Sequence, residues 1–87
     1  MQVMSALSQP VRLQVYELLL QQFPDGLAAG DIADATRSSP SAISAHLAVM
    51  SRAGLVQFTK VGRSVIYEAS PARVAALSDY LGGLSPM

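Results

Sequence analysis

The chain has 87 residues, enough for one domain around a modest core and too few for two cores. About half are apolar, yet no run approaches the roughly 18 apolar residues of a membrane span, and the lack of any cysteine excludes disulfides, thiolate metal sites and thiol redox switches. Six Lys and Arg balance six Asp and Glu, a total that by itself argues against a nucleic-acid partner.

The opening MQVMSALSQP has no basic segment followed by an apolar core, so it is not read as a secretory leader. A cytoplasmic protein without membrane contact is expected. Val3, Met4 and Leu7 form a short apolar patch in this opening. Ser8 followed by Pro10 has the form of a helix start, and Val11, Val15, Tyr16, Leu19, Leu20 and Phe23 recur at helical spacing up to the turn cluster Pro24-Asp25-Gly26. A short second helix is predicted over AAGDIADAT, with Asp31 and Asp34 near its N-terminus, where they favour the helix dipole. Its apolar share is small: Leu27, Ile32 and Ala35.

The third helix has the clearest limits. Ser39 can cap it, Pro40 suits its first position and Gly54 stops it, which places it at about 39 to 53. LVQFTK and SVIYEA, rich in β-branched and aromatic residues and joined through Val61-Gly62-Arg63, read as a β-hairpin. Ser70-Pro71 then starts a last helix on which Val74, Leu77 and Leu81 form a narrow apolar stripe. The expectation is one domain over residues 1–87, mainly α with a small β-hairpin, with about five helices in the order four helices, hairpin, helix.

The charges are unevenly spread. No Asp or Glu occurs from Ala35 to Tyr67, a stretch that holds Arg37, Arg52, Lys60 and Arg63, while all six acids lie outside it. One half of the chain is therefore locally cationic, as phosphate binding requires. At 100° per residue, Ile43, Leu47 and Met50 share one face of the third helix, and Ser41, Ser44, Ala45, Ala48 and Arg52 the opposite one. Side chains that short let a helix approach base edges in a major groove, and serines can bond to bases or phosphates. A plain solvated face is the alternative. At the hairpin, Lys60 and Arg63 flank Gly62, an arrangement suited to phosphates or a minor groove, with a solvated turn as the alternative.

LSQPVRLQVYELL, DIADATRSSPSAISAHLAVMSRAGLV and VGRSVIYEA together resemble the ArsR/SmtB family of winged helix-turn-helix repressors over about Ala6 to Ala69. The resemblance implies a transcriptional regulator, a repressor that binds a pseudo-palindromic operator in double-stranded DNA as a homodimer. The helix from Ser39 would then be the recognition helix and the hairpin the wing, giving Ser39, Pro40, Ser41, Ser44, Ala45, His46, Arg52, Lys60, Arg63 and Ser64 as DNA-binding candidates. The first and last helices would form the dimer interface through Val3, Met4, Leu7, Val74, Leu77 and Leu81.

The chain departs from the family's sensing members. Where some carry a Cys-x-Cys pair at the start of the short helix, it has Ala28 and Gly30, and where others use Asp and His pairs on the last helix, it has only Asp79. His46 is the one histidine, so neither metal nor cofactor is expected, and the resemblance leaves room only for an effector that the residues do not identify. His46 itself is read as a partly buried, hydrogen-bonded ring with a phosphate contact as the alternative, Arg12 as scaffold or phosphate contact, and Tyr16, Tyr67 and Tyr80 as packing residues. No nucleophile elbow, glycine-rich phosphate loop or metal constellation suggests an enzyme. A winged helix used as a protein-interaction adaptor, which the neutral total charge favours, is the alternative function.

Overall fold

The computed structural model describes the backbone of residues 6–84 and the side chains of residues 6–76, 78 and 79. The elements are α1 (Pro10–Gln21), β1 (Leu27–Ala28), α2 (Ala29–Ala35), α3 (Pro40–Arg52), β2 (Val56–Val61), β3 (Ser64–Ala69) and α4 (Pro71–Leu84). These four helices and the hairpin follow the predicted order. The helix expected before α1 falls largely outside the described residues.

α1 starts one residue later than Ser8 suggests. Gln9 is the cap, its Oε1 accepting from the backbone N–H of Val11 at 2.7 Å and of Arg12 at 3.1 Å, while Pro10 fills a position where no N–H is needed. The Arg12 Nε–H donates to the Ala6 carbonyl at 2.7 Å, a scaffold contact that ties the preceding segment to α1. The helix also ends before Phe23, because the N–H groups of Asp25 and Gly26 both turn back to the Gln22 carbonyl, and Phe23 is left exposed.

Leu27 is not part of the second helix. It pairs with Tyr67, and Ala28 with Ile66, so β1 joins the hairpin in a three-stranded antiparallel sheet of order β1-β3-β2. Two residues are too few to show the alternation by which a strand is read from sequence. Gly26 leads into β1 at φ +79°, and a Cβ there would collide with the Tyr67 carbonyl oxygen. α2, shortened at its start, has Asp31 in its first turn but Asp34 in its last, where a carboxylate no longer favours the dipole.

Both limits of α3 agree with the sequence. The Ser39 Oγ accepts from the Ala42 N–H at 3.1 Å, and Gly54, at φ +75°, closes a Schellman turn in which the Leu55 N–H donates to the Met50 carbonyl at 3.0 Å. Ile43, Leu47 and Met50 are fully buried together with Val15 and Leu19 of α1, Ile32 of α2, and Leu55. At about 1.5–3 kcal/mol for each large side chain removed from water, this cluster fixes how α3 lies on α1 and α2. Tyr16 completes it from α1, and Val56 and Ala69 close it beneath the sheet.

Candidate nucleic-acid interface

With its apolar face committed to the core, α3 turns Pro40, Ser41, Ser44, Ala45, Ala48 and Arg52 outward, all exposed. No side chain on this face before Arg52 is bulky. α2 and the turn that follows it set the direction of α3: the Thr36 Oγ1–H donates to the Ile32 carbonyl at 2.8 Å, and the Ser38 N–H to the Ala33 carbonyl at 2.9 Å.

The wing is pinned by its register. Val61 pairs with Ser64, leaving Gly62-Arg63 as a two-residue turn with φ +62° at its first position, as a type II′ turn requires. The two faces of the hairpin are each tied by a cross-strand pair. On one, Phe58 meets Tyr67 with ring centroids 5.5 Å apart; on the other, the Gln57 Nε2–H donates to the Glu68 Oε1 at 2.7 Å. Lys60, Arg63 and Ser64 stand exposed at the end. The carboxylate nearest in sequence, Glu68, is occupied by Gln57, and the side chains of Arg37, Arg52, Lys60 and Arg63 have no hydrogen-bond or ion-pair partner among the described residues. A small-faced helix and a stiff cationic hairpin thus follow one another on one scaffold.

A family model described as a helix-turn-helix domain matches residues 7–57. The transcriptional activator HlyU of Vibrio cholerae is 33% identical over 79 residues, which cover 91% of this chain and 70% of that protein. The HTH-type transcriptional regulator NmtR of Mycobacterium tuberculosis is 36% identical over 77 residues, covering 87% of this chain and 61% of the relative. Among solved structures, the homodimeric winged helix-turn-helix DNA-binding domain of Mb0332 from Mycobacterium bovis superposes with a TM-score of 0.78 at 30% identity, over 95% of this chain and 74% of that one. The chain belongs to the ArsR/SmtB-type winged helix-turn-helix transcriptional regulators.

Within this family of DNA-binding regulators, the sequence-based candidates fall into two groups. Ser39, Pro40, Ser41, Ser44, Ala45 and Arg52 on α3, and Lys60, Arg63 and Ser64 on the wing, are all exposed. His46 is half-buried, but the hydrogen bond expected of its ring is not found among the described residues. Of the dimer candidates, Leu7 and Val74 are half-buried against the core of their own chain. Val3 and Met4, and the side chains of Leu77 and Leu81, lie outside the described residues. Ala28 sits in β1 and Gly30 in α2, and no cluster of three metal-ligating side chains occurs among the described residues.

Three exposed side chains near these elements stand outside the sequence-based set. Phe58 and Val61 on the wing are 55% and 60% exposed, which strand alternation could not reveal, because β2 has only Val56 buried. Arg37 was legible as one of the cations between Ala35 and Tyr67, but its backbone was not: it lies in the turn between α2 and α3 at φ +54°.

Proposed function

We propose that the chain binds double-stranded DNA as a homodimer, laying α3 in the major groove and the wing against phosphates or an adjacent minor groove, and that it represses transcription from a pseudo-palindromic operator. The outer face of α3 carries this reading: exposed Ser41, Ser44, Ala45 and Ala48 form a helix surface short enough to reach base edges. The homodimeric assembly of the Mb0332 DNA-binding domain supports the dimer, with Leu77 and Leu81 supplying its apolar stripe in α4. Repression then follows from occupying the operator, with no effector or metal needed for binding.

Fluorescence anisotropy with random duplex DNA over a salt series tests this. Affinity should fall steeply and linearly on a log-log plot as phosphate contacts exchange with counterions. An affinity that is absent or insensitive to salt would favour the adaptor reading, for which Phe58 and Val61 provide exposed apolar contacts on the wing.

A further inference from the structure

α2 ends in the same kind of turn as α3, with one difference. The Ser38 N–H donates to the Ala33 carbonyl at 2.9 Å and the Arg37 N–H to the Asp34 carbonyl at 3.2 Å, a Schellman turn whose pivot is Arg37 at φ +54°. After α3 the pivot is Gly54, and the other left-handed positions are held by Gly26 and Gly62; among the described residues Arg37 is the non-glycine residue with positive φ. A Cβ is disfavoured in that conformation, and arginine lacks the short polar side chain with which Asn or Asp offsets the strain. The backbone gains nothing from arginine here. Its guanidinium is exposed, with no hydrogen-bond or ion-pair partner among the described residues, so the charge brings folding only the small gain of a cation beside a helix C-terminus. The turn around it is nonetheless held fixed, by the Thr36 Oγ1–H on the Ile32 carbonyl at 2.8 Å and the Ser38 Oγ–H on the Thr36 carbonyl at 3.3 Å. Arg37 lies two residues before Ser39, the cap of α3. When a recognition helix enters a major groove by its N-terminal end, the residues just ahead of it meet the phosphates that border the groove.

We propose that Arg37 is a phosphate-contacting residue that fixes the approach of α3 to DNA, retained in an unfavourable backbone conformation for binding and not for folding. This rests on the DNA-binding reading above. Arg37→Gly removes the charge and relieves the backbone together, so the two roles separate. Its thermal midpoint should match or exceed that of the wild type, while its affinity for operator and random duplex should fall alike. The log-log salt slope should decrease by about one per protomer, roughly two for the dimer, so that the wild-type advantage widens about 3.5-fold for each halving of salt. Arg37→Lys, which keeps the charge and the strain, should restore the slope. An Arg37→Gly protein with unchanged affinity and slope overturns the proposal; so does a lower midpoint, which would give arginine a folding role, or a loss confined to one base position, which would make it a base reader. Failure of the wild type itself to bind in a salt-dependent way is a different result and removes the DNA-binding reading.

Discussion

Ser44 and Arg63 are both exposed polar residues, yet their settings predict different behaviour. Ser44 stands on the outer face of a helix whose other face is locked in the core, so its hydroxyl is presented at a fixed place. Arg63 is a long cation at a hairpin tip. We predict that Ser44→Ala changes the preferred base at one position of each half-site, costing about 1–3 kcal/mol there, in a selection from random sequences. Arg63→Ala should weaken all sequences equally and lower the salt slope by about one per protomer; an unchanged slope would mean that the wing does not touch DNA. Two glycines make a second contrast at this scale. Gly54→Ala meets only strain, because its new Cβ would have ordinary contact with the Arg73 guanidinium, and should cost about 1–2 kcal/mol. Gly26→Ala adds a collision with the Tyr67 backbone and should cost more than about 3 kcal/mol, which denaturant midpoints of the two variants would resolve.

Among the elements, α1 carries a group with a displaced titration. Burial raises the pKa of Tyr16 above the usual value near 10, and the positive charge of Arg73 partly opposes the rise. The unfolded chain therefore loses this proton first, so stability contributed by the neutral phenol is intact below pH about 10 and is lost as pH rises through the folded value. Tyr16→Phe should flatten the alkaline limb of a stability–pH curve relative to the wild type, and identical limbs would contradict the assignment. The elements also show where the sequence was legible. α3 was readable to within a residue, because capping serine, N-terminal proline, helical period and stop glycine all agree. β1 was not, since two residues carry no period and its pairing with β3 is non-local. Asp34 was misplaced for a related reason: with Leu27 and Ala28 drawn into the sheet, α2 is only seven residues long, and a residue near its start on paper falls in its last turn. The candidate surface was legible wherever side-chain type sufficed, as for the serines and wing cations. It was illegible at Arg37, whose interest lies in a backbone angle.

For the whole molecule, the sequence spaces Val74, Leu77 and Leu81 as an apolar stripe along α4, and a domain this small has little core to spare for such a stripe beyond the partial cover Val74 receives. We predict a dimer at micromolar concentration by sedimentation equilibrium. The double substitution Leu77→Glu and Leu81→Glu should give a folded monomer with greatly reduced DNA affinity, and a monomeric wild type would count against the proposed assembly. In the proposed dimer a twofold axis would also set the operator: we predict half-sites about one helical turn apart, or a multiple of it, which would place both copies of α3 on one side of the duplex.

The strand order β1-β3-β2 puts the last strand made in the middle of the sheet. Leu27 must wait for Tyr67, so during synthesis β1 and β2 both emerge before the partner they share. At about 5–20 residues per second, that delay lasts on the order of seconds, long enough for α1, α2 and α3 to close their core first. We predict the same order in the isolated chain: the helices close their local contacts first, and the wing joins them through its central strand. Pulsed hydrogen exchange during refolding should show the α1 and α3 amides protected ahead of the amides of β2 and β3, and simultaneous protection would mean that sheet and helices form as one unit.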